Sequence, residues 1–279
     1  MPNGSGQSIL YAIGGRALTG GSLGKVQAYN VATNTWTTKA SLPIAAYLTN
    51  GAGVIGGKIY VSGGVTRDKF FRRELHVYDP ATNAWTRKRD MPDGTWGGVT
   101  GVSGEKLYVL TCGDREEDCY VNSGPLFLYR YDPATDQWTF LSFSPPQTRH
   151  PMGGFIGGRF YVTGDDTPTG DGTAFHVYDP ATNQWTPKAP LPRGRWSGAG
   201  VTLGAKLYVI GGSERYPDGS ERQVRSMIAY DPASDTWSAK ASMPTVRPGL
   251  AASRVVFEGQ PRIEVVGGSR PGNNIQYTP

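Results

Sequence analysis

Cysteine and histidine are scarce in this chain. Its 279 residues hold two cysteines and three histidines. Cys112 and Cys119 are too few for a disulfide framework, though one staple is feasible. They flank the acidic run "DREED" (Asp114 to Asp118), and either a bonded or a reduced pair fits that loop. No CxxC pair or second ligand pair accompanies them, which argues against structural zinc. No metal and no cofactor is expected. Long apolar runs are also missing: no stretch approaches the ~20 apolar residues of a membrane span. The opening "MPNGSGQS" has no signal-peptide core, which leaves the compartment open. Charge of one sign is lacking too. The net charge is +5, with basic residues grouped in "TRDKFFRRE" (Thr66 to Glu74) and "RKR" (Arg87 to Arg89). A nucleic-acid groove needs a broader basic surface, so no nucleic-acid partner is expected. Finally, long segments of helical period are absent. Apolar residues fall in short runs rich in Val, Ile, Tyr and Phe, among 39 glycines and 21 prolines. That pattern reads as all-β.

What is present is repetition. "HVYDPATNAW" (His76 to Trp85) returns as "HVYDPATNQW" (His176 to Trp185). Its Tyr and Trp recur at Tyr29/Trp36, Tyr78/Trp85, Tyr131/Trp138, Tyr178/Trp185 and Tyr230/Trp237, always seven apart. A sixth copy stops at Tyr277. Upstream of each Tyr lies an apolar run ending in small residues: "LYAIGG", "IYVSGG", "LYVLTC", "FYVTGD", "LYVIGG" and "IEVVGG". The phrase itself predicts a hairpin. Asp79 accepts a backbone hydrogen bond and Pro80 fixes φ, so a turn starts there. Asn83 tolerates the left-handed conformation that closes it. Each unit reads as four strands. One such sheet cannot bury both faces alone, and radial stacking of sheets does so.

Gly-Gly, then Tyr, then Trp, then Leu-Pro or Met-Pro ("SLP", "DMP", "PLP", "SMP") resembles the kelch repeat over nearly the whole chain. The resemblance implies a six-bladed kelch-type β-propeller, with glycines allowing close approach and aromatics packing between blades. Thr111-Cys112 and Gly164-Asp165 depart from Gly-Gly in the third and fourth units. The chain reads as one domain, 1–279, with units at approximately 1–43, 44–92, 93–145, 146–192, 193–244 and 245–279. The first unit lacks an inner strand and the sixth an outer one. This implies a fragment whose upstream segment would supply both. A ring naturally two strands short, or a five-blade ring, are the other arrangements.

Function is sought where the repeat breaks. His76 and His176 share one slot in two units, so they read as packing residues, and the five repeat tryptophans read as core. The segments entering each inner strand differ in kind: Tyr47-Leu48, Thr95-Trp96, Thr148-Arg149, Arg195-Trp196 and Arg247-Pro248. His150 follows the third of these and reads as a loop histidine. The loops after Gly-Gly, such as "DDTPTGDGT" and "SERYPDGSERQVR", lie toward the same face. The former lacks an EF-hand's alternating acids and terminal Glu. Arginines beside aromatics suit carboxylates, sugars or peptides, through a bidentate fork and a stacking face. Tyr47, Trp96, Arg149, Arg195, Trp196 and Arg247 are the ligand-binding candidates; plugging the channel is their structural reading.

The expected function is a non-catalytic module that recognises a peptide, protein or glycan partner on this loop face, as a monomer. The resemblance also implies enzymes. A sialic-acid-type mutarotase would need a carboxylate clamp, for which Arg195 and Arg247 are candidates, and an acid or base that the sequence does not single out. A copper oxidase of the galactose-oxidase type needs two histidines, and only His150 lies outside the repeat slot. The Glu-Asp-His motif of iron-dependent nitrile specifiers is not found. Fold alone does not choose among these.

Overall fold

Short β-branched and aromatic segments, cut by Gly, Asn and Asp turns, form strands throughout. The structure is a computed structural model. It describes residues 8–17, 20–47, 49–68, 70–113, 125–145, 148, 150–164, 172–216, 218–247 and 249–268, with the backbone of 275–277. Among the described residues there is no helix. The first sheet holds β1 (Ile9–Ile13), β2 (Val26–Asn30) and β3 (Thr35–Lys39). The second holds β4 (Ala52–Ile55), β5 (Lys58–Ser62), β6 (Leu75–Asp79) and β7 (Ala84–Lys88). The third holds β8 (Val99–Ser103), β9 (Lys106–Thr111), β10 (Phe127–Asp132) and β11 (Gln137–Phe143). The fourth holds β12 (Met152–Ile156), β13 (Arg159–Thr163), β14 (Phe175–Asp179) and β15 (Gln184–Pro187).

In the fifth unit a small sheet interleaves with the large one. β16 (Arg195–Trp196), β19 (Ser213–Arg215) and β20 (Glu221–Gln223) form the small sheet. β17 (Ala199–Leu203), β18 (Lys206–Ile210), β21 (Met227–Asp231) and β22 (Thr236–Lys240) form the large one. The sixth sheet holds β23 (Leu250–Phe257), β24 (Gln260–Gly267) and β25 (Ile275–Tyr277). The first and sixth sheets thus have three strands among the described residues, as the strand count of the sequence predicts. The described residues fall into two compact units. One contains β1 to β10, most of β11 and the turn Val255–Pro261; the other contains β12 to β22, β25 and most of β23 and β24.

The repeated phrase folds as its chemistry dictates. Asp79 accepts the N–H of Ala81 at 2.9 Å, and Asp132, Asp179 and Asp231 repeat this contact at their own turns. The turn closes on a left-handed residue: Asn34, Asn83, Asp136, Asn183 and Asp235 all have φ between 52° and 56°. That residue's side chain also accepts the hydroxyl of the Tyr five positions earlier, at 2.7 Å for Tyr78 and 2.6 Å for Tyr178. Asn83 further accepts the N–H of Ala40, and Asp136 that of Arg89. One side chain therefore closes its own turn and grips the preceding unit.

The seven-residue spacing of Tyr and Trp is a register. Tyr78 faces Trp85 across β6 and β7, and Tyr178 faces Trp185 across β14 and β15. Ring centroids in the five pairs lie 5.0 to 5.2 Å apart. The indole N–H of Trp85 donates to the Ala40 carbonyl, that of Trp138 to Arg89, and that of Trp237 to Ala189. Within the first compact unit, Ile55, Tyr60, Leu75 and Val77 of the second sheet pack on Leu107, Val109 and Tyr131 of the third. Within the second compact unit, Tyr161, Phe175 and Val177 of the fourth sheet pack on Leu207, Val209 and Tyr230 of the fifth. These layers bury one face of each sheet against its neighbour, which is what an isolated sheet could not do.

Gly-Gly serves close approach. Gly63 has φ 64°, and a Cβ there would meet Thr95 Oγ1 at 2.4 Å and Asn50 Nδ2 at 2.5 Å. The third unit's departure from Gly-Gly has a partner in the same place. Thr111 is buried, and its hydroxyl donates to Asn50 Oδ1 at 3.0 Å. Asn50 also donates to Thr95 Oγ1 and accepts the N–H of Gly98, so the departure completes a buried polar network.

Candidate functional site

The segment "SERYPDGSERQVR" of the fifth unit forms the strand pair β19–β20, and it builds the most developed side-chain constellation of the second compact unit. Two alternating runs, Ser213–Arg215 and Glu221–Gln223, flank the Pro-Asp-Gly sequence, a strong turn signal. Tyr216 N–H donates to the Ser220 carbonyl, and Gly219 N–H to that of Tyr216. Asp218 accepts both the N–H and the hydroxyl of Ser220. The hairpin then recruits β16: Arg195 faces Glu214 and Trp196 faces Ser213, while Glu214 faces Arg222 and Arg215 faces Glu221.

Directly opposed residues share a face of a sheet, and so do residues two apart. One face therefore carries Arg193, Arg195, Glu214, Tyr216 and Arg222. Here two guanidinium groups lie over Tyr216, Arg193 at 4.5 Å and Arg222 at 4.3 Å from its ring centroid. Arg193 also reaches Glu214 at 3.8 Å, and Arg222 reaches Asp218 at 3.3 Å. The opposite face carries Trp196 with Arg215 at 5.2 Å above its ring, and Arg215 pairs with Glu221 at 2.9 Å. Such contacts hold long cationic side chains in fixed poses.

Arg195 is the post beneath this arrangement. It is 2 % exposed. Its guanidinium is ion-paired with Glu214 and donates to Ser226 Oγ at 2.7 Å and to the Ser226 carbonyl at 3.1 Å. Burial pushes its proton affinity down, and the charge and hydrogen bond of Glu214 oppose that. An Arg stays a cation under these conditions. A buried pair held this way orients the sheet rather than meeting solvent.

The other sequence-selected positions each have local partners. Trp196 is buried as the base for Arg215. Trp96 is buried and stacks on Phe71 with centroids 6.0 Å apart. Tyr47 is half-buried, bridged to Val65, with Arg16 at 5.6 Å from its ring. Arg247 is buried and donates to the Gly267 carbonyl at 3.0 Å. Arg149 lies outside the described residues, as do Leu48, Pro248, "DREED", Cys119 and Asp165 to Asp171. Cys112 is disulfide-bonded. Arg195 and Trp196, adjacent in sequence, thus lie on opposite faces of one sheet. Around them stand Arg193, two residues before Arg195, and Glu214, Arg215, Tyr216 and Arg222, whose signal was the alternation on either side of Pro-Asp-Gly.

The histidine slot is a packing slot. His76 is buried and meets Trp85 edge-on at 6.4 Å. It borders a small cleft with Ala46, Val61, Arg72 and Glu74. Its ring nitrogens have no hydrogen-bond partner among the described residues. Burial lowers the pKa of both His76 and His176. Among the described residues no group of three or more His, Cys, Asp or Glu side chains is arranged to hold a metal.

Comparison with known proteins now decides the family. The KLHDC2/KLHL20/DRC7 kelch-repeats domain matches residues 52–268, and the kelch motif matches residues 4–43. The chain belongs to the kelch-repeat family. Its fold is the six-bladed kelch β-propeller; among the described residues the six larger sheets are its blades, the first and last with three strands each. A solved structure titled "Structure of YjhT" is similar with a TM-score of 0.74 and 19 % identity, covering 97 % of this chain and 90 % of that one. At that identity the likeness speaks to the kelch fold. No curated protein matches the sequence.

Proposed function

We propose that this chain is a non-catalytic binding module that recognises a carboxylate-bearing peptide, protein or glycan on the β16–β19–β20 sheet. The observation that carries this reading is the placement of both Arg193 and Arg222 over the Tyr216 ring, at 4.5 and 4.3 Å. Both guanidinium groups remain solvent-accessible, with side chains 42 % and 57 % exposed. Each is oriented before any ligand arrives, so less side-chain freedom is lost on binding. Planar forks of this kind engage a carboxylate through two parallel hydrogen bonds. Arg195 and Glu214 hold the platform from below, and Trp196 carries Arg215 on the other face. Tyr47 with Arg16 offers a second, smaller Arg–aromatic pair in the first unit. Glu214 favours a binder over an acid–base enzyme, because it is 7 % exposed and tied to Arg195 and Ser226.

The test is a peptide and glycan array followed by titration of the best acidic hit. Arg193→Ala and Arg222→Ala should each weaken binding by about tenfold, near 1.4 kcal/mol, and binding should fall with added salt. Undiminished affinity in the double variant would move the site elsewhere. Acceleration of sugar anomer exchange, followed by NMR, would replace the binder reading with the mutarotase one.

A further inference from the structure

The small sheet of the fifth unit runs β16–β19–β20, so β20 is its open side. The ladder shows which main-chain groups that side offers. Tyr216 N–H donates to the Ser220 carbonyl, and Val224 N–H to that of Gly212. Glu214 and Arg222 lie between these two pairs, so they too exchange main-chain hydrogen bonds. Arg215 turns the other way, and its N–H donates to the Gly194 carbonyl. Glu221 and Gln223 face Arg215 and Ser213 across the ladder. Their N–H and C=O groups therefore point outward. All three residues of β20 are exposed, and among the described residues no strand pairs with that side.

Edges are normally guarded by charge. Here the charges are already engaged: Glu221 pairs with Arg215 on one face, and Arg222 stands over Tyr216 on the other. A strand added to β20 would bond to Glu221 and Gln223. Opposite Arg222 it would form the closely spaced pair that lacks hydrogen bonds. The charge that meets a newcomer at closest approach is thus a guanidinium, with Arg193 over the same ring.

We infer that β20 accepts an extended acidic peptide as a fourth strand of this sheet, with a carboxylate side chain opposite Arg222. This deepens the function proposed above and rests on it. The arginines select the acid, and the edge selects a peptide over a glycan. Two outward N–H donors and two C=O acceptors at strand spacing match an extended main chain; sugar hydroxyls have no such alternation. A second copy of β20 is a poorer occupant, because in the symmetric register Arg222 would meet Arg222.

The probe is the capped peptide Ac-Thr-Val-Thr-Glu-Thr-Val-Thr-NH2, titrated into the full chain and followed by amide NMR. The Glu221 and Gln223 amides should shift. N-methylating either Thr beside the Glu removes a donor to the edge and should weaken binding at least about tenfold, whereas N-methylating the Glu, whose N–H points away, should change it less than about threefold. Lys in place of the Glu should abolish binding. Gln223→Pro removes an outward N–H without breaking the ladder and should act like the flanking methyl groups. If that variant misfolds, the methyl scan decides, since it leaves the protein untouched. Weaker binding by the double variant Arg193→Ala, Arg222→Ala, with no alternation along the methyl scan, overturns the edge and leaves the arginine site standing. Alternation with undiminished affinity in that double variant overturns the acid opposite Arg222 and the arginine site together. A probe that does not bind at about 5 mM overturns the inference, whether or not the array yields another acidic hit.

Discussion

At the scale of single residues, context rather than type decides what a side chain does. Five tryptophans occupy one repeat slot, but they are not equivalent. Trp85, Trp138 and Trp237 each give their indole N–H to a backbone carbonyl of the preceding unit. Trp36 opens the series and is 39 % exposed. Trp237→Phe should therefore destabilise by about 1 kcal/mol beyond any packing loss, and Trp36→Phe by less than about 0.5 kcal/mol. Urea melts of the two variants would show it, and equal shifts would mean that the hydrogen bond to Ala189 contributes nothing. The same contrast governs the arginines. Arg195 and Arg222 lie on one sheet face, yet the former is enclosed by the hairpin and the latter stands over Tyr216. Sequence selects Arg195 because it breaks the repeat; burial makes it a positioning residue.

At the scale of elements, the Tyr-to-Trp turn is the smallest unit that folds the same way each time. Its left-handed residue accepts a hydroxyl from its own strand and an N–H from the unit before. Asn83→Ala removes both acceptors and leaves an alanine in the left-handed region, so a loss of about 2–3 kcal/mol is expected. Asn83→Asp should cost less than about 1 kcal/mol, because Asp136 and Asp235 already do the same task at φ 55° and 53°. Thermal melts of the pair check this, and an Asp variant as damaged as the Ala variant would refute the account. The β19–β20 hairpin shows the limit of repeat logic. Only the fifth repeat, among the described residues, extends it to full strands; the first and second repeats pair after Gly-Gly by isolated bridges, Arg16 with Ser22 and Val65 with Phe71. Only its Pro-Asp-Gly turn and flanking alternation were visible.

At the scale of the whole molecule, pH separates two sets of groups. Burial lowers the pKa of His76 and His176 in the folded state. The folded chain then binds fewer protons than the unfolded one below about pH 6.5, so their contribution is full above that pH and declines as pH falls through the lowered values. The turn aspartates Asp79, Asp132, Asp136, Asp231 and Asp235 are also held low, mainly by side-chain hydrogen bonds to Lys or Tyr. Their contribution is present above about pH 4 and is lost below it. Melting temperature should thus fall in two stages. The double variant His76→Phe, His176→Phe should flatten the first stage, between pH 7 and pH 5, and spare the second. An unchanged upper slope would place the effect in other groups.

How much of this was legible beforehand follows from range. Turn chemistry, strand register and the need of one sheet for another are written in residues a few positions apart and repeated five times. The sequence by itself therefore determined the all-β repeat, the kelch assignment and the Tyr–Trp pairing. Tertiary structure alone decided which arginines are enclosed and which reach solvent. It also decided that Trp96 stacks on Phe71 rather than facing out, and that β20 lies at the open side of its sheet. Exposure depends on which distant segment covers a side chain, and no local spacing encodes that.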